Sequence, residues 1–163
     1  MPDTNNPYAP PEAHVADIAA SVEPSPPLWN PNAAASWSLL LTPVFGAVLQ
    51  MKNWQALGEP EKAETSKRWA IGCLIFMVLM SFVAAFFVES SNGISRTAGL
   101  GLLFAWYYGN GKAQNAYVLA RFGKTYSRKG WALALLCGVA GLAAFLVLMM
   151  IVGIIYAALS GQL

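Results

Sequence analysis

Two long uncharged runs constrain this chain more than any other feature of its sequence. The run 70–88 contains 19 residues without a charged side chain, and 131–159 contains 29. At 1.5 Å per residue the shorter run covers about 28 Å as a helix, close to the roughly 30 Å hydrocarbon core of a bilayer. The whole chain is 56% hydrophobic and 11% charged, against roughly a quarter charged in soluble domains. Both runs are therefore predicted to be transmembrane helices.

A third apolar stretch lies between these two runs. It covers 94–109 if its count begins within the last residues of the polar turn 89–96. It is just long enough to return across a membrane as the second arm of a hairpin with the 70–88 helix, provided that Arg96 extends back to the interface.

Small residues are spaced along two of the predicted spans in a way that lets helix backbones approach closely in lipid. We expect the first group to pack against the 70–88 helix, and we expect both groups to be candidate contacts for a partner's helices: Gly101, Ala105 and Gly109, and Ala134, Gly138 and Gly141.

The basic residues predict the orientation of the chain. Segments 52–69 and 110–130 hold four and five of the ten Lys and Arg residues, whereas the turn 89–96 holds one. Cytoplasmic loops carry the excess of Lys and Arg. We therefore expect a multi-pass membrane protein, with 52–69 and 110–130 in the cytoplasm and with 89–96 and the C-terminus on the opposite side of the membrane.

The stretch 29–51 has two interpretations. Pro43 removes a backbone donor near its middle, and hydroxyl and amide side chains lie along it at Ser36, Ser38, Thr42 and Gln50. These features favour a re-entrant or interfacial helical segment broken at the proline. The alternative is a fourth span, with tryptophans in opposite interfacial belts.

The predicted fold class is all-α, a polytopic membrane protein with three transmembrane helices and one proline-broken segment. Residues 1–28 contain seven prolines and no basic residue, a composition that resists packing. They are predicted to be a disordered acidic tail, and 29–163 a single helical membrane domain.

A pattern of asparagine, tryptophan, proline and glycine runs through Asn30, Asn32, Trp37, Pro43, Asn53, Trp54 and Gly58, and the runs 53–63 and 115–131 accompany it. In these parts, over about half its length, the chain resembles small bacterial inner-membrane proteins of unknown function, which implies that it lies in the bacterial inner membrane with 89–96 and the C-terminus in the periplasm. In these an Asn and Ala/Trp opening leads to an apolar stretch that is broken by one proline and closed by tryptophan. Some proteins of this appearance look like immunity partners of type VI secretion toxins, which implies a role in neutralising a membrane-targeting toxin.

Catalytic chemistry is not expected. The single histidine and the two cysteines are far apart in the sequence, which does not suit a metal site. No phosphate-binding loop is present, and the basic excess is too small and local to indicate nucleic acid. We therefore predict no cofactor and no metal, and a protein that acts on a bilayer-embedded or cytosolic protein partner; a homo-oligomer is compatible with this reading.

Three functions fit these features. An immunity protein would dock its helices against those of a pore-forming toxin. A scaffold or assembly factor would instead recruit a cytosolic client, and an oligomeric channel or transporter component is the third. The candidate cytoplasmic surface consists of Lys112, Asn115, Tyr117, Arg121 and Lys124, for which a basic face held against anionic lipid is an equally good interpretation.

Overall fold

The computed structural model describes residues 24–86 and 91–161. Every named regular element in these two ranges is helical, which confirms the predicted all-α class. The described ranges contain six α-helices and one π-helical turn, Tyr107–Gly111: α1 Pro31–Leu41, α2 Pro43–Ala56, α3 Pro60–Phe86, α4 Ser91–Trp106, α5 Lys112–Phe122 and α6 Ala132–Leu159.

Helices α1 and α2 form a hairpin that is broken at Thr42. The Asn30 side chain caps α1 by accepting hydrogen bonds from two backbone N–H groups of the first turn, which otherwise lack partners. Thr42 has a φ of 118°, so the helix stops there, and Pro43 opens α2 as its first residue, where a missing N–H is harmless. The break predicted at this proline is therefore present.

The two ends of the hairpin lie side by side. The Trp29 backbone N–H donates to Asn53 Oδ1 at 3.0 Å, and Asn53 Nδ2 donates to the Trp29 carbonyl at 2.8 Å. Between the arms, Gly46 lies so close to α1 and α4 that an added Cβ would clash with Ser38 Oγ and the Trp106 ring. The stretch thus starts and finishes at the same end of the bundle.

Helix α3 turns back along α2 after a tight connection at Gly58, whose φ of +72° favours glycine. Helix α4 then packs against both α2 and α3. The apolar core between the three helices consists of Ala47, Ala70, Cys73, Leu103 and Trp106.

Helix α4 continues through the π-helical turn directly into α5. The sequence placed a boundary between a span and a loop at 109–110, but a change from apolar to basic side chains does not end a helix. Gly109 lies in this turn, and a Cβ there would be 2.9 Å from the Trp69 ring of α3. The turn thus brings α4 and α3 into close contact at this level.

The last residues of the predicted tail belong to the packed structure. Leu28 is fully buried with Val118, Phe122 and Tyr126. Its backbone bridges to the loop after α5, because Leu28 N–H donates to the Ser127 carbonyl at 3.0 Å and its carbonyl accepts from Lys129 N–H at 2.8 Å. The rest of the predicted acidic tail, 1–23, lies outside the described residues.

Helix α6 agrees with the predicted 131–159 helix and is uninterrupted at its glycines. Only its first turns contact the hairpin: Ala134 is buried near Ala34 and Leu49, and a Cβ on Gly138 would meet Leu41 and Phe45. The remaining apolar side chains are largely exposed, including Leu146, Met150, Ile154 and Leu159.

Two helices of the described structure are long and apolar enough to cross a membrane, residues Pro60–Ala84 and Ala132–Leu159. The predicted third span corresponds to α4, which has 16 residues, fewer than the roughly 20 that a spanning helix needs.

Candidate functional site

A network of buried amide side chains joins the hairpin to α3, the π-helical turn and α5. Gln50 of α2 is at its centre: its Nε2 donates to the Gly111 carbonyl at 2.9 Å, and its Oε1 accepts from Asn110 Nδ2 at 2.8 Å. The same Asn110 nitrogen donates to Ser66 Oγ of α3 at 3.0 Å. The π-helical turn thus places one asparagine where it donates hydrogen bonds to both α2 and α3.

Gln114 and Asn53 extend this network toward the start of the hairpin. Gln114 Nε2 donates to the Gln50 carbonyl at 2.9 Å, and Gln114 Oε1 accepts from Asn53 Nδ2 at 3.1 Å. Asn53 also holds Trp29 through the two bonds described above. We call Gln50, Asn53, Ser66, Asn110 and Gln114 the amide network, and the end of the bundle that contains them the amide end.

The network is desolvated but neutral. Four of its members are fully buried and Asn110 is 8% exposed. Buried polar groups destabilise a fold unless they are hydrogen-bonded. Among the described residues, Trp106 Nε1 is the one buried side-chain nitrogen or oxygen without a partner, so the network itself is satisfied. Amides neither titrate nor act as nucleophiles here, which assigns the network a role in holding helices in place.

An aromatic and charged cluster lies beside the network. Tyr117 Oη donates to Glu59 Oε1 at 2.6 Å and accepts from Arg121 at 2.7 Å. Lys62 Nζ is 3.1 Å from Glu59 and lies over the Trp54 and Tyr117 rings. The hydrogen bond from Tyr117, followed by that from Lys62, lowers the pKa of the Glu59 carboxyl from its ordinary value of 4.5.

The network and this cluster bring the two basic segments to the same end of the bundle. Segment 52–69 contacts segment 110–130 through Ser66 with Asn110 and through Glu59 with Tyr117. Four and five of the ten Lys and Arg residues belong to these segments. The amide end is consequently the basic end.

The residues on which the predicted resemblance depends mostly have structural roles. Asn53 belongs to the amide network, and Trp54 is 3% exposed against Tyr117. Trp37 differs, because 36% of it is exposed on α1. The others shape the backbone: Asn30 caps α1 through the N–H groups of Asn32 and Ala33, Pro43 starts α2, and Gly58 makes the turn before α3.

The predicted small-residue contacts divide into two groups. Gly109, Gly138 and Ala134 are occupied by the chain's own side chains. Around Gly101 and Gly141, by contrast, nothing of the described chain lies within 4 Å of where a Cβ would be, and Ala105 is exposed. A role for these residues in binding a partner stays a prediction.

The predicted cytoplasmic surface divides in the same way. Lys112 and Lys124 are exposed and Asn115 is half-buried. Tyr117 and Arg121 are instead engaged in the cluster with Glu59. The opposite face of α5, with Gln114, Val118 and Phe122, is buried against the bundle.

A groove of about 510 Å³ opens beside the hairpin, between α2, α3 and α6. Its walls are apolar, and Lys52 and Trp29 lie among the residues that line it. The groove was not foreseen from the sequence, because its lining comes from four helices, α1, α2, α3 and α6, that are distant along the chain.

Most members of the amide network were also missed. Gln50 was noted only as a polar side chain unsuited to lipid exposure, and Asn110, Gln114 and Ser66 were not singled out. Their shared signal is a polar residue at a position that the apolar pattern of its helix would bury.

The described residues contain no group of three His, Cys, Asp or Glu side chains that could hold a metal ion. Comparison with known proteins gave no match to a family model, to a curated protein or to a solved structure.

Proposed function

We propose that this protein is an integral protein of the bacterial inner membrane that acts by binding a membrane-inserted protein partner. The observation that carries this proposal is α6. Its most apolar 18-residue window has a mean hydropathy of 2.8 and none of it is buried inside the bundle. Beyond its first turns α6 is therefore apolar all round without protein cover, and such a helix is stable only in lipid or against another apolar helix.

The proposed topology follows from the amide end. Because this end carries the basic segments, it faces the cytoplasm under the positive-inside rule. Helices α3 and α6 both leave it and cross the bilayer, while α4, lengthened by the five residues of the π-helical turn, returns across it as the third span. The hairpin starts and ends at the amide end, so it is re-entrant, and the N-terminal tail is cytoplasmic.

The depth that the hairpin tip reaches, measured along α6, agrees with a hairpin that stops inside the membrane. The tip at Leu41 meets Gly138, six residues after the first residue of α6, Ala132 (138 − 132 = 6). Six residues correspond to about 9 Å, less than half of the roughly 30 Å hydrocarbon core. The hairpin therefore occupies one leaflet.

As the specific form of this function we propose immunity against a pore-forming toxin of a type VI secretion system. The protein would pack against the toxin's inserted helices and prevent their assembly into a pore. Gly101 and Ala105 are the best candidates for this contact, because they are exposed on α4 and small residues let helices approach closely in lipid.

The test is the membrane potential, read with a voltage-sensitive dye in cells that lack the gene and grow beside siblings with an active contact-dependent secretion system. We expect depolarisation that the restored gene prevents. Gly101→Leu should abolish protection, whereas Gly72→Leu, at an equally open position on α3, should not. An unchanged potential in cells without the gene would refute the immunity function.

A scaffold function is the second candidate, favoured by the exposed face of α5. Leu119 is 40% exposed there, on a helix that begins at the exposed Lys112. If this face recruits a cytosolic client, Lys112→Glu and Lys124→Glu should abolish function while Gly101→Leu leaves it intact, the reverse of the immunity pattern.

A further inference from the structure

The apolar groove beside the hairpin has the shape and chemistry of a site for one lipid chain. The lining of its volume of about 510 Å³ comes mainly from α2, α3 and α6, and includes Phe45 and Val48, Leu74 and Met77, and Leu142 and Phe145. Volumes of about 300–1,000 Å³ are typical of small-molecule sites. The Gly141 position widens the groove, since nothing of the described chain lies within 4 Å of a Cβ there.

The length of the groove matches one leaflet. Its lining on α6 extends from Leu133 to Phe145, 12 residues apart (145 − 133 = 12), which is about 18 Å along a helix. Half of a roughly 30 Å hydrocarbon core is about 15 Å. An acyl chain anchored at the amide end would therefore end near Phe145.

Charge is confined to the mouth of the groove. Lys52 is the one charged residue among those that line it, and it lies on α2 at the amide end. The ion pairs within the described residues use Lys62, Lys67 and Arg68, so Lys52 has no carboxylate partner there. A second cation is close by, because Lys129 Nζ is 4.3 Å from the ring of Trp29, another lining residue.

We propose that this groove binds one acyl chain of an anionic phospholipid from the cytoplasmic leaflet, with the headgroup phosphate paired to Lys52 and Lys129 beside it. The inference depends on the proposed membrane placement but not on the toxin. A wholly apolar helix is a poorer occupant, since it would leave Lys52, the one charged lining residue, without an anionic partner at the amide end.

Native mass spectrometry of the purified full-length protein tests this proposal. The protein is exchanged into mixed micelles that contain equal amounts of phosphatidylglycerol and phosphatidylcholine with identical acyl chains. We expect one tightly retained phosphatidylglycerol. Lys52→Glu should weaken the preference for it at least fivefold, since one cation near the net negative charge of phosphatidylglycerol, which zwitterionic phosphatidylcholine lacks, is worth about 1 kcal/mol. Gly141→Phe should remove the retained lipid of either kind.

Two control variants use matched positions. Lys112→Glu reverses an exposed lysine outside the groove, and Gly153→Phe adds the same ring at another open position on α6; both should retain phosphatidylglycerol like the wild type. Equal retention of the two lipids by the wild type would overturn the proposal, as would an unchanged preference in Lys52→Glu.

A further pair of measurements separates this proposal from the others. Resistance to carbonate extraction reports membrane integration, so an integral protein without lipid preference refutes the lipid site alone. Cys137 lines the groove and is exposed. A disulfide-linked dimer through Cys137 in native membranes would assign the groove to a second copy of this chain and overturn the proposal.

Discussion

Removing the Asn53 side chain should destabilise the whole bundle, because this one amide joins the start of the hairpin to α5. Asn53→Ala deletes three hydrogen bonds, two with the Trp29 backbone and one with Gln114 Oε1. The Gln114 oxygen is fully buried and is left without this donor, at a cost of about 1–3 kcal/mol. Trp29 is only half-buried, so water partly replaces its two lost bonds.

Adding about 0.5–1 kcal/mol for the half-buried Trp29 groups gives a total loss of about 1.5–4 kcal/mol in the free energy of unfolding. For a chain of this size such a loss lowers the midpoint of thermal unfolding by roughly 3–16 °C. The matched control is Asn115→Ala on α5. Asn115 is half-buried and makes no side-chain hydrogen bond within the described residues, so a change within about 0.5 kcal/mol is expected.

The chain contains its own reporter for this experiment. Cys73 is 1% exposed in the core, so a thiol-reactive fluorogenic dye reaches it only on unfolding. Cys137 is exposed and is replaced by serine in every variant. If Asn53→Ala and Asn115→Ala unfold within 2 °C of each other in detergent, the amide network does not hold the helices together and this reasoning fails.

Two further predictions use the same assay. Gly46→Ala should lower the unfolding midpoint, because the added methyl group clashes with Ser38 Oγ and Trp106 and overpacking costs about 1–3 kcal/mol. The control Gly72→Ala, at an open helical position, should be neutral or stabilising by up to about 1 kcal/mol. Equal midpoints for the two variants would contradict the packing at Gly46. The pKa of Glu59 is lowered in the folded state, so the stabilisation linked to it is present above its ordinary pKa of 4.5 and is lost as pH falls through the folded value. Glu59→Gln should therefore flatten the decline in stability below about pH 4.5. An identical decline in the wild type and in Glu59→Gln would refute the assignment of the lowered pKa to Glu59.

The sequence predicts those features of this fold that depend on neighbouring residues better than those that depend on contacts between distant residues. The uncharged runs locate α3 and α6 because a long apolar helix is a local property. Pro43 locates the hairpin break for the same reason. The continuity of α4 with α5 escapes prediction, since side-chain polarity changes at Asn110 while backbone hydrogen bonding does not.

The candidate sites depend on contacts between distant parts of the chain. Gln50 and Asn110 are 60 residues apart and pair only because α2 and the π-helical turn lie together. Likewise, the sequence cannot distinguish Gly138, which Leu41 and Phe45 cover, from Gly101, which remains open. The sequence shows which residues are small and how they are spaced, but only the packed structure shows which of them already contact side chains of the same chain.

The central claim is that the amide end faces the cytoplasm and that the α1–α2 hairpin returns to it. Its most direct test is labelling of single cysteines with a membrane-impermeant maleimide, in a variant whose two native cysteines are replaced. Pro24→Cys and Lys124→Cys, both at exposed positions of the amide end, should react only after the inner membrane is permeabilised. Ser160→Cys, just after α6, should react in cells whose inner membrane is intact. Labelling of Pro24→Cys in such cells would contradict the claim. If Lys124→Cys stayed protected the hairpin would span the membrane, and if both reacted the amide end would face the periplasm.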